Sequence, residues 1–84
     1  MCPINRLFHC IIRVPKAQSA FTYFQLEARE GLCFYSTLKE SLPANYRDLD
    51  IKGALELKEE FYNLVEQLRR EFPIEFLLEE IISC

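Results

Sequence analysis

The sequence predicts an α+β domain: an antiparallel meander of three or four strands, packed on one face by a long amphipathic helix and followed by a short C-terminal helix. Two observations predict this class. Apolar residues alternate in the first part of the chain, as in strands, and recur at helical spacing after Gly53. Strands that precede helices are typical of α+β domains. We therefore expect one domain over residues 1–84, with a sheet part at 1–52 and a helical part at 53–84.

The first strand is predicted over residues 7–14, where two sets of side chains alternate and Pro15 ends the run. One face is apolar: Phe8, Cys10, Ile12 and Val14. The opposite face carries Leu7, His9, Ile11 and Arg13. Because this second face is half apolar, it is a further candidate for burial.

A β-hairpin is predicted over residues 21–40, where two aromatic-rich runs flank Ala28-Arg29-Glu30-Gly31. Gly31 supplies the positive φ that a three-residue hairpin loop requires. The resulting register assigns four side chains to the core: Phe24, Leu26, Leu32 and Phe34. The other face becomes a surface with aromatic content: Phe21, Tyr23, Gln25, Glu27, Cys33 and Tyr35.

A loop over residues 41–46, which contains Pro43, leads to a short edge strand predicted at 47–52. Asp48 and Asp50 share one face of this strand. Carboxylates on an edge strand discourage pairing with other chains, which is the role we expect for these two.

A long helix is predicted from Ala54 to Phe72, and Pro73 ends it because the residue before a proline is disfavoured in helical geometry. Its apolar stripe comprises Leu57, Phe61, Leu64, Val65, Leu68 and Phe72. Proline is well tolerated at a first helical position, so a second helix is expected to run through Ile82. Its apolar stripe comprises Ile74, Leu77, Leu78, Ile81 and Ile82.

Composition and charge exclude several classes of function. The four cysteines, at positions 2, 10, 33 and 84, match no zinc spacing, and we expect free thiols with Cys10 and Cys33 in the core. Residues 43–84 carry five basic against ten acidic residues, which disfavours nucleic acid as a partner. No apolar run is long enough to span a membrane, and no convincing signal peptide is present. We expect a cytoplasmic chain with no metal and no cofactor.

The apolar content points to a protein partner. Half of the residues are apolar even without counting glycine, and so small a domain leaves part of its apolar surface unburied. We therefore expect a non-catalytic protein–protein interaction module, a small subunit or adaptor domain of an intracellular complex, or a homodimer. The candidate interface residues are Phe21, Tyr23 and Tyr35 on the hairpin, and Ile74, Leu77 and Ile81 on the terminal helix.

The predicted element order of residues 21–72, an aromatic hairpin followed by a polar loop and a long helix, resembles the later half of a longin-type domain. It is also similar to the closing strands and helix of a pleckstrin-homology-like barrel. Both resemblances imply protein–protein assembly, and neither carries a functional residue over to this chain.

Two alternatives remain open at this level. A thiol-based enzyme or redox sensor would use Cys33 or Cys10 with His9, the one histidine of the chain. A single-stranded nucleic-acid binder would stack bases on the aromatic hairpin, although few basic residues surround it.

Overall fold

The computed structural model describes residues 6–29, 31–39 and 44–83. Its strands and helices are β1 Arg6–Pro15, α1 Ser19–Ala28, β2 Phe34–Thr37, β3 Tyr46–Ala54, α2 Lys58–Arg69 and β4 Glu75–Ser83. A turn of 3-10 helix precedes each α-helix, at Lys16–Gln18 and Leu55–Leu57. The expectations for Cys2, Cys84, the N-terminal signal peptide and residues 41–43 of the predicted loop lie outside the described residues.

The four strands form one antiparallel sheet in the order β2-β3-β1-β4. The domain is α+β, as predicted, but the sheet is not a meander. β1 and β2 run in the same direction with β3 between them, and β3 and β4 run in the same direction with β1 between them. A helix joins each of these pairs, so consecutive strands are neighbours only at β2 and β3.

The core lies between the two helices and one face of the sheet, which we call the helix face. β1 and β3 contribute alternate buried residues: Phe8, Cys10, Ile12, Val14, Leu49 and Ile51. α2 contributes Phe61, Leu64, Val65 and Leu68. The rings of Phe8 and Phe61 stack with centroids 5.0 Å apart. The predicted apolar face of β1 is therefore confirmed. The predicted helix at 54–72 is shorter in the structure, Lys58–Arg69, and the four members of its predicted stripe that lie within it are buried; Leu57 belongs to the preceding 3-10 turn and Phe72 lies beyond the helix.

The predicted hairpin over residues 21–40 is wrong, because its first strand is helix α1. Thr22 and Leu26, one helical turn apart, are both buried, so tertiary packing outweighs the preference of aromatic residues for strands. Gly31 does have a positive φ of 79°, but in a helix-to-strand connection. Phe24 and Phe34 were assigned to the core and are instead 66% and 83% exposed.

The predicted C-terminal helix is also wrong, because residues 75–83 form strand β4 along β1. The register shifts between Ile11 and Ile12, which leaves Leu77 without a partner residue and forms a β-bulge. Apolar spacing that fits a helix thus also fits a strand with one inserted residue. Pairing with the free side of β1 decides between the two.

β3 is an interior strand rather than the predicted edge strand, because β1 pairs with it on one side and β2 on the other. The division into a sheet part and a helical part is accordingly wrong, since α1 lies in the first part and β4 in the second. The resemblances to longin-type and pleckstrin-homology-like domains lose their basis, because they depended on the hairpin.

Candidate interaction surfaces

The sheet face opposite the helices, which we call the open face, is defined by the strand registers. It carries Leu7, His9, Ile11 and Arg13 from β1, Phe34 and Ser36 from β2, Asp48, Asp50 and Lys52 from β3, and Glu75, Leu78, Glu80 and Ile82 from β4. Its apolar side chains on β1 and β4, such as Ile11 and Leu78, are partly buried. The face is therefore mixed, with charged side chains between apolar ones.

His9 links three strands across the open face. Its Nε2 donates to Asp50 of β3 at 2.6 Å and its Nδ1 to Glu80 of β4 at 2.5 Å, while its side chain is only 13% exposed. Burial by itself lowers the pKa of His9, but the hydrogen bonds to the two carboxylates and their charges outweigh it and raise the pKa. An imidazolium that donates from both nitrogens has no lone pair left to accept a proton.

Arg13 and Asp48 form a second ion pair on the same face. The guanidinium donates from Nε at 2.8 Å and from Nη2 at 3.1 Å, and it lies 3.8 Å from the centroid of the Tyr46 ring. Hydrogen bonding to Asp48 raises the pKa of Arg13. Asp48 and Asp50 thus tie β3 to β1 instead of protecting a sheet edge, which corrects the role predicted for them.

The outer side of β4 forms the second surface, which we call the β4 edge. Among the described residues, β1 is the only strand that pairs with β4, so the other side of this nine-residue strand is open. Leu77 is 41% and Ile81 is 48% exposed. A groove of about 240 Å³ follows the edge, and its lining comprises Lys58, Tyr62, Glu79, Glu80 and Ile81.

Glu79 and Glu80, in the middle of β4, each accept a hydrogen bond from another element of the domain. Tyr62 on α2 donates its hydroxyl to Glu79 at 2.7 Å, and burial and this bond raise the pKa of Tyr62. Glu80 accepts from His9 on the other face of the sheet. These two carboxylates therefore have partners on the two opposite faces of the sheet.

A larger cleft, of about 360 Å³, lies where β1 ends. Its apolar lining includes Pro15, Tyr46 and Pro73, and Arg13 is one of its charged groups. Because Arg13 already holds Asp48 with two hydrogen bonds, this guanidinium is committed within the domain.

The six predicted interface residues do not form one surface. Leu77 and Ile81 lie together on the exposed β4 edge, whereas Ile74 is buried, with 5% exposure. Phe21, 44% exposed on α1, packs edge-to-face against Phe72 at 6.4 Å.

Tyr23 and Tyr35 instead join α1 to β2. Their rings stack at 5.2 Å, the Tyr23 and Thr37 hydroxyls bond at 2.5 Å, and Tyr35 donates to Glu27. The hydrogen bond to Glu27 raises the pKa of Tyr35 to about 12. Sequence reasoning missed the exposed Phe24 and Phe34, because the wrong hairpin register placed both in the core.

The structure does not place His9 beside Cys10, although the two thiols are close enough for Cys33 to add to the effect of burial in raising the pKa of Cys10. Cys10 points to the helix face and its neighbour His9 to the open face. Burial raises the pKa of the Cys10 thiol to about 12 and that of Cys33 to about 11. Both thiols are free, as predicted.

The described part of the chain contains no group of three or more His, Cys, Asp or Glu residues that could hold a metal ion. Within the same residues, no helix has the length and apolar character needed to cross a membrane.

The order β-α-β-β-α-β, with both β-α-β units split by an intervening strand, defines a split β-α-β domain of the ferredoxin-like type. Unrelated functions occur on this architecture, so the fold assigns none. No known family model matches the chain, and no curated protein or solved structure matches it significantly.

Proposed function

We propose that this chain is a non-catalytic protein–protein interaction module that binds its partner through the β4 edge. The observation that carries this proposal is a long edge strand with two exposed aliphatic side chains, Leu77 and Ile81, beside an open groove. Unpaired backbone N–H and C=O groups along an edge are a template for another chain. Apolar surface beside them contributes the burial that stabilises a complex.

The other sheet edge is a poorer candidate. β2 has four residues against nine in β4, so it offers fewer backbone groups to a partner. Its exposed aromatic residue, Phe34, lies at the first position of the strand. A partner on β2 would therefore have one apolar contact and a short ladder.

The two alternatives have less support. Thiols whose pKa values are raised to about 11 and 12 hold little thiolate at neutral pH, and the thiolate is the nucleophile. Nucleic acid would meet a mixed open face, on which Arg13 and Lys52 lie among four carboxylates: Asp48, Asp50, Glu75 and Glu80. A phosphate backbone requires a basic surface.

The test is capture of a partner by the tagged chain from cell extract, with matched lysine substitutions. Ile81→Lys places a charge on the β4 edge, whereas Phe24→Lys places the same charge on the outer side of α1. We expect the wild type and Phe24→Lys to retain the same partner and Ile81→Lys to lose it, with circular dichroism showing that all three fold. Retention by Ile81→Lys together with loss by Phe24→Lys would move the interface to α1 and contradict the proposal.

A further inference from the structure

We propose that the partner segment is a basic, extended strand that adds to β4 as a fifth strand of the sheet. This inference rests on the proposed function, and it names how the partner binds and what chemistry it carries. Strand addition at a sheet edge derives affinity from main-chain hydrogen bonds and specificity from alternate side chains. Three features of the β4 edge support it: its backbone, its charge and its groove.

The backbone of residues 78–83 is regular. The registered pairs with β1 run without interruption from Leu78 to Ser83, and the irregularity is confined to Leu77. Every second residue of a strand directs its N–H and C=O groups to the side away from a given neighbour. Six residues span about 20 Å. The bulge thus limits the docking strand to about this length and marks where its pairing ends.

The charge of the same stretch selects the partner. Glu79 lies on the helix face and Glu80 on the open face, so carboxylates occupy both faces of the edge. Among the residues that the structure describes, Lys58 is the one cation lining the groove, and it lies 5.7 Å from the Tyr62 ring centroid. Side chains directly opposite in a strand pair lie about 4.5–5.5 Å apart, so opposite charges attract and like charges repel. Glu80 already faces the His9 imidazolium, whereas Glu79 accepts from the neutral Tyr62 hydroxyl, which does not offset its charge. A second copy of β4 aligned on the same residues would add its own glutamates to this charge, whereas a basic strand would pair with it.

The groove defines where the apolar side chains of the partner lie. Ile81 on β4 and Tyr62 on α2 line the groove on the helix face, and Leu78 and Ile82 lie on the open face. An antiparallel partner therefore places apolar residues opposite Leu78, Ile81 and Ile82. Basic residues lie opposite the two glutamates between them. The complementary sequence, read in its own direction, is Thr-Val-Val-Lys-Lys-Val.

The test is a titration of the isotopically labelled full chain with that peptide, blocked at both ends, followed by NMR. We expect saturable shifts at residues 78–83 and in the groove at Lys58 and Tyr62, with slower hydrogen exchange of the β4 amides that face away from β1. Two peptide controls isolate the two sources of affinity. One has glutamate in place of both lysines, and the other has N-methyl groups on the amides that would bond to β4; neither should bind.

Two protein variants check the charge and the groove. Glu79→Gln keeps an acceptor for Tyr62 and removes one charge, so we expect binding to weaken by about fivefold at low salt. The matched control Glu66→Gln removes the same charge from α2, and its binding should be unchanged. Ile81→Lys should abolish binding.

Several outcomes would overturn the inference. Equal binding of the N-methylated peptide would show attraction without a ladder, and equal binding of the glutamate peptide would show no selection for charge. Absence of shifts at residues 78–83 at millimolar peptide would also refute it. A dimer in sedimentation velocity that Ile81→Lys dissociates would make a second copy the occupant. If the peptide fails while partner capture still depends on Ile81, strand addition is wrong and the proposed interaction function stands.

Discussion

The two faces of the sheet are built from the same strands but held together differently. The helix face is apolar and closely packed, with Phe8, Ile12 and Ile51 at 2% exposure or less. The open face connects its strands through paired charges, Glu80–His9–Asp50 and Arg13–Asp48. Residues adjacent in sequence therefore contribute by different physical means, because alternate side chains of a strand point to opposite faces.

This difference separates stability from specificity. Burial of apolar area is non-directional and supplies most of the free energy of folding. Partly buried ion pairs contribute little net free energy, because the cost of desolvating the charges offsets much of their attraction, but they require particular partners at particular register positions. The helix face therefore determines how stable the domain is. The open face favours one register of β3 and β4 against β1, since a shift of one residue would separate every pair.

Phe61→Ala gives the largest expected effect, and it acts on the helix face. The side chain is completely buried and stacks on Phe8, so its removal loses apolar burial and leaves a cavity. We expect the free energy of unfolding to fall by about 3–5 kcal/mol. Urea denaturation followed by circular dichroism measures this loss. A loss as small as that of an open-face variant would mean that the two faces do not differ as described.

Gly53→Ala tests how closely the helix face is packed. A Cβ at this position would lie 2.6 Å from the Phe8 ring and 2.7 Å from the carbonyl oxygen of Leu32. Because Phe8 is buried and the carbonyl belongs to the backbone, neither group moves freely. We expect a destabilisation of about 1–3 kcal/mol by overpacking. The matched control is Ser36→Ala on the exposed open face, for which the same denaturation experiment should show almost no change.

His9→Gln gives the smallest effect, and the effect depends on pH. The folded-state pKa of His9 lies above the ordinary value of 6.5, so the protonated ring stabilises the folded chain. This contribution is complete below about pH 6.5 and is lost as the pH rises through the raised pKa. We expect the wild type to exceed the variant by less than about 1 kcal/mol per ion pair at pH 6.

The measurement is urea denaturation of both proteins from pH 6 to pH 9. The difference in free energy of unfolding should shrink as the pH rises. A difference that stayed constant, or grew, over this range would show that His9 is not held as an imidazolium between Asp50 and Glu80. NMR titration of the ring would then give the direction of its pKa shift independently.

Sequence reasoning located the elements whose local pattern permits one interpretation. β1 and α2 were predicted because their periods of two and 3.6 residues are unambiguous, and both carry core residues. α1 was missed because its aromatic residues favour strands, and Phe21 and Phe24 remain exposed on it. β4 was missed because a bulge at Leu77 produces apolar spacing that also fits a helix.

The exposed apolar residues of the β4 edge were predicted from the sequence, but the edge itself was not. Leu77 and Ile81 were singled out as exposed apolar residues, and both are exposed. The reason given, a helix stripe, was wrong, and Ile74 from the same stripe is buried. Leu77 and Ile81 lie beside an open backbone edge because β4 pairs only with β1 among the described strands. The local sequence pattern does not show which strands pair.

The sequence by itself determined the α+β class, the apolar face of β1 and most of the stripe of α2. Only the tertiary structure decided that residues 75–83 are a strand, that β3 is interior, and that His9 is held between Asp50 and Glu80. The physical reason is the range of the interactions. The periodicity of a segment depends on residues within a few positions of one another. Strand pairing joins distant segments, and the two His9 ion pairs join residues 41 and 71 positions apart.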